Sequence, residues 1–143
     1  MSSHSISALV LATGLFASTA AEAHVSLASG PAQATKSSKI TLGVGHGCEG
    51  DDTLRVRVDI PASITSVRAL FSDFGKPTLI RDAGNVVIAV EWQKADADLL
   101  ASDDGYYELT FRGRVPDAAF TQIQLNVTQT CRSALGVETT VLW

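Results

Sequence analysis

The sequence predicts an all-β protein: an immunoglobulin-like antiparallel β-sandwich of about seven strands with one disulfide. Three observations carry this expectation. Apolar and polar residues alternate with a period of two in several stretches, as half-buried antiparallel strands require. Turn-forming residues separate those stretches about every dozen positions. Two cysteines, Cys48 and Cys131, make an even count in a chain that begins like an exported one.

Residues 1–23 read as a secretory signal that is cleaved. The apolar stretch from Ile6 to Ala17 is short for a membrane span and runs into the small residues of "STAAEA". Ala21 and Ala23 fit the A-x-A rule for cleavage. The leading "MSSHS" departs from the usual pattern in having no Lys or Arg. Cleavage after Ala23 leaves residues 24–143 as one domain, expected to be periplasmic or secreted. It removes one acid, Glu22, and no Lys or Arg, so the formal charge moves from −4 to −3. No later apolar run has membrane length, so no membrane insertion is expected after cleavage.

Along the remaining chain, "TLRVRVDI" (Thr53 to Ile60) places Leu54, Val56, Val58 and Ile60 on one face and Arg55, Arg57 and Asp59 on the other, and Pro61 closes it. "TQIQLNVT" (Thr121 to Thr128) alternates in the same way. Further strands are predicted at Ser38 to Gly45, Ser63 to Phe71, Asn85 to Trp92, Tyr106 to Val115 and Val137 to Trp143. Lys94 to Ser102 hints at a short helical turn, and Trp92 reads as core. Charged residues are only 18% and no basic run or basic face shows at strand or helix spacing, which excludes nucleic acid as a partner.

Cys48 precedes one strand and Cys131 follows another, and in an oxidising compartment the pair reads as a disulfide. The competing reading is a pair of metal thiolates helped by His46. Persistent free thiols outside the cytoplasm need a dedicated reductant, which favours the disulfide.

His24 becomes the first residue after cleavage. Its α-amine and Nδ1 can then grip one metal ion in a six-membered chelate. The amine must lose its proton, which an α-amino pKa of about 8 makes inexpensive for a strongly binding ion. Planar nitrogen ligation suits Cu(II), which also heads the affinity order of divalent first-row ions. A second metal-ligating group lies in "GHGCEG", where His46 and Glu49 flank Cys48 among glycines that permit sharp turns.

The pieces "AHVSL" at the cleavage point, "HGCEGDDT" before a strand ending "DIP", "VEW" in mid-chain, "VTQTC" and the final "VLW" span the mature domain. Through them the chain resembles the YcnI-like copper-binding domain family of exported bacterial proteins. The resemblance implies an immunoglobulin-like sandwich that binds Cu(II) through a terminal histidine brace, a carboxylate and a nearby tryptophan. Residue by residue, the brace falls on His24, the tryptophan on Trp143 and the carboxylate on Glu49. The "HGC" pattern differs from the branch in which the acid follows an asparagine, so either Glu49 or His46 completes the site. The tryptophan that many relatives carry near "FSDFG" is absent here.

The implied function is Cu(II) binding without turnover, by a periplasmic chaperone or buffer in copper homeostasis, exchanging with periplasmic or membrane copper-handling proteins. A rival is a copper monooxygenase-like enzyme with His46 as second ligand. Its flat stacking surface is hard to build from 6% aromatics. A third reading is a metal-free adhesion or assembly module.

Overall fold

The computed structural model describes residues 25–143. The strands in chain order are β1 (Val25–Leu27), β2 (Ser37–Val44), β3 (Asp52–Asp59), β4 (Thr65–Ala69), β5 (Thr78–Arg81), β6 (Val87–Gln93), β7 (Tyr107–Arg114), β8 (Val127–Arg132) and β9 (Glu138–Leu142). A 3-10 turn, Asp96–Asp98, falls inside the stretch expected to be helical. Among the described residues, no helix is long and apolar enough to cross a membrane.

The strands form two antiparallel sheets, ordered β1-β2-β7-β4 and β5-β6-β3-β8-β9. Alternation dictates how the sheets stack. Leu54, Val56 and Val58 of β3 are fully buried, while Arg55, Arg57 and Asp59 are half-buried on the outer face. Ile40, Leu42 and Val44 of β2 and Leu109 and Phe111 of β7 meet them from the other sheet in one continuous core. Trp92 has 0% exposure, and its Nε1–H donates across the sandwich to the Leu70 carbonyl at 3.3 Å. A buried indole needs such a partner. β4 lies over β6, so the opposite edges, β1 and β9, fall on one side of the molecule.

Among the described residues, nine strands replace the expected seven. The two additions, β1 and β5, are three and four residues long, too short to show a period. One strand moves: Thr121 to Thr128 was the expected element, but pairing runs from Val127 to Arg132. The alternation before Val127 survives, with Ile123 and Leu125 packed against the core. Only the ladder is missing. Val58 pairs with Val127, Asp59 N–H still reaches the Asn126 carbonyl, and then Pro61 turns β3 away. On the other flank, pairing ends where Trp143 and Val127 exchange backbone bonds at 2.8 and 3.1 Å. The segment before Val127 therefore has no strand on either side of it. The same shift places Cys131 inside β8 rather than beyond a strand end.

Candidate metal centre

β1 and β2 pair so that Val25 stands opposite Val44. The residue that follows His24 is thus fixed beside the strand end that leads, two residues on, to His46. His24 itself and the signal stretch 1–23 lie outside the described residues.

The loop after β2 is rigid for stated reasons. Cys48 and Asp51 exchange backbone hydrogen bonds at 3.1 and 2.9 Å. Between them Glu49 (φ 53°) and Gly50 (φ 93°) both take the left-handed conformation, as a two-residue type I′ turn demands. Glycine suits this geometry, whereas glutamate bears a steric cost there. The turn holds Glu49 at an exposed tip. Gly47 is buried, and a Cβ on it would collide with the Asp51 carbonyl oxygen. Cys48 is bonded to Cys131 across 83 residues, with the two Cα atoms 5.7 Å apart. The paired sulfurs rule out the thiolate reading.

The His46 ring is half-buried. Its Nδ1 lies 3.0 Å from the Gly47 carbonyl oxygen. A carbonyl only accepts, so this bond needs the proton on Nδ1 and leaves the Nε2 lone pair for a ligand. The nearest acid is Asp103, 4.0 Å from Nδ1. It arrives because Tyr107, at the start of β7, pairs with Val44, which brings the turn before β7 against the loop after β2.

A hydrogen-bonded relay joins His46 to Trp143. The Trp143 Nε1–H donates to Gln129 Oε1 at 3.1 Å. Gln129 Nε2 donates to the His46 carbonyl at 2.9 Å and to Thr53 Oγ1 at 2.8 Å. Gln129 has 0% exposure, so this amide is committed to its partners. Two expected site residues, His46 and Trp143, are therefore brought together through a glutamine that stands in "VTQTC". Glu49 points outward three residues beyond His46. Among the described residues, no three His, Cys, Asp or Glu side chains gather as a metal site.

Beneath the loops lies a cluster that sequence reasoning missed. Asp52, at 1% exposure, receives hydrogen bonds from Lys94 Nζ, Tyr107 Oη (3.0 Å), Leu100 N–H (2.8 Å) and Thr53 N–H (2.8 Å). Lys94 Nζ also reaches Tyr107 Oη at 2.6 Å and lies 4.1 Å from the Tyr107 ring centroid and 5.2 Å from that of Phe74. Burial, then the hydrogen bond to Asp52 and its charge, push the Tyr107 phenol up to about 12. The cluster fastens the segment that carries Asp103 and so supports the His46 end. A signal for it existed. Asp52 precedes the inward series Leu54-Val56-Val58, Lys94 follows Val90-Trp92, and Tyr107 precedes Leu109-Phe111, each one step along the stripe.

Comparison with known proteins agrees with this architecture. No curated protein matches the chain. A solved structure from Nocardia farcinica, an uncharacterized protein with an immunoglobulin-like fold, is similar with a TM-score of 0.61 at 16% identity over 75% of each chain. At that identity the likeness shows the fold alone: an immunoglobulin-like sandwich. Residues 24–73, which include His24, His46 and Glu49 but not Gln129 or Trp143, match the model of the family that the YcnI-like resemblance names, described as Domain of unknown function (DUF1775).

Proposed function

We propose that this protein is an exported Cu(II)-binding sandwich that carries or buffers copper and performs no turnover. Its ligands would be the amine and imidazole of His24, freed by signal cleavage, with a further ligand from the loop after β2. The observation that carries the reading is the register of β1 on β2, which starts the described chain across from the strand leading to His46. His46 adds a ring whose Nε2 is left open by the Gly47 bond. The relay from Trp143 through Gln129 to the His46 carbonyl holds an indole on the same framework. Such outer contacts orient ligands and control water access. Glu49, Asp51, Asp103 and Asp104 lie on the loops at this end, a negative field that favours a cation.

The test compares copper binding by two proteins. One begins at His24. The other carries one extra residue before it and so has no terminal amine on the histidine. Calorimetry with Cu(II) should give tight binding to the first and a loss of at least about tenfold for the second, since a chelating nitrogen is removed. Equal affinity in the two proteins would remove the brace from the proposal.

A further inference from the structure

The outer face of the four-stranded sheet carries a charge pattern that no single strand reveals. On β2, Lys39 stands directly opposite Arg112 of β7. On the other flank of β7, Arg68 of β4 stands opposite the same Arg112. Three cations therefore form a row across three neighbouring strands. Arg114 lies two residues further along β7 on the same side, and Lys36 adjoins the start of β2. All five are exposed. The chain has eleven Lys and Arg, so nearly half gather here although the protein is acidic overall.

Of the other six cations, all but Lys76 and Arg81 behave differently. Arg55, Arg57, Lys94 and Arg132 each pair with a carboxylate. Among the described residues none of the five does. Glu108, on β7 with Thr110 between it and Arg112, and Asp117, beyond β7, are the nearest acids along that strand's path. Like charges directly opposite each other weaken a sheet. A row of three with no internal acid is a cost to the isolated fold, and an anion placed over it removes that cost.

The shape selects among anions. The donors stand on rigid strands across a pleated face and do not converge on a pocket, so they fit an extended charged plane better than a discrete ion. One large apolar side chain, the exposed Phe71, follows Arg68 by three residues, just past the end of β4. Cations beside a protruding aromatic are what an interfacial membrane binder presents to headgroups and the acyl boundary.

We propose that the outer face of this sheet, centred on Lys39, Arg112 and Arg68, docks the protein on an anionic lipid membrane. The association is peripheral. It is independent of the copper reading, because the row occupies the half of the sheet away from the Val44 end of β2 that leads to His46.

The test is co-sedimentation of the exported protein, its first residue fixed by mass spectrometry, with phosphatidylcholine vesicles containing or lacking phosphatidylglycerol. Binding is expected only to the anionic vesicles and should fall at high salt. The triple variant Lys39→Gln, Arg68→Gln, Arg112→Gln should lower the partition coefficient by about a hundredfold, at roughly fivefold for each surface charge. The charge-preserving Lys39→Arg, Arg68→Lys, Arg112→Lys protein should bind like the parent, and circular dichroism checks the fold of both. Three results would overturn the proposal: no preference for anionic vesicles, equal binding by the folded Gln variant, or salt-sensitive binding to DNA or to a second copy of the chain without binding to vesicles.

Discussion

Tyr107 shows how one atom can set a limit on the pH range of a fold. Its phenol is lifted to about 12 in the folded chain, against about 10 for an ordinary tyrosine. A raised folded value means the fold favours the neutral phenol. The contribution is complete below about pH 10 and disappears as the pH climbs through 12. Denaturant titrations should therefore show the parent losing stability across that window. Tyr107→Phe, less stable at neutral pH because Asp52 and Lys94 lose a partner, should lose less there. Parallel curves for the two proteins would remove Tyr107 as the cause. Residue-scale chemistry was only half legible beforehand. The apolar members of each inward stripe announce themselves by type, whereas Asp52 and Lys94 look like solvated charges until the phase of their strands is followed one step further. His46 was visible as a candidate ligand, but its neighbour Asp103 comes from a turn more than fifty residues away, and only the pairing of Tyr107 with Val44 unites them.

At the scale of elements, the turn Cys48-Glu49-Gly50-Asp51 sets local preference against geometry. Its first central position wants asparagine, aspartate or glycine, and it holds glutamate at φ 53°. Glu49→Asn should raise stability by about 0.5–1 kcal/mol through relief of that conformation. The same variant removes the carboxylate, so weaker Cu(II) binding in a more stable protein would assign the acid to the site. A thermal melt and a copper titration on one preparation read both outcomes. Strands announced by a long period were found close to where alternation put them, as with Thr53 to Ile60 against β3. Alternation records which way side chains face and says nothing of whether a neighbour is there to bond. This is why Ile123 and Leu125 kept their orientation while their segment left the ladder. The basic row escaped for a related reason: Lys39, Arg112 and Arg68 sit on three separate strands and form a pattern only perpendicular to the chain.

For the molecule as a whole, the Cys48–Cys131 bond ties the loop leaving one sheet to a strand of the other. Closing a loop of 83 residues is worth about 4 kcal/mol by the chain-entropy relation. Cys48→Ser should lower the melting midpoint by roughly 15 °C or more, and reductant should do the same to the parent protein. Unchanged melting on reduction would show that the core alone sustains the sandwich. The sandwich and its crosslink were legible because period, turns and cysteine count converge on them. The order of strands was not, since it depends on long-range pairings such as β2 with β7. The crosslink also makes cohesion answer to surroundings. Where thiols are kept reduced, the polypeptide should lack this tether and open more readily. An oxidant should restore it, so the resistance of this shape to unfolding should follow the redox state of its surroundings.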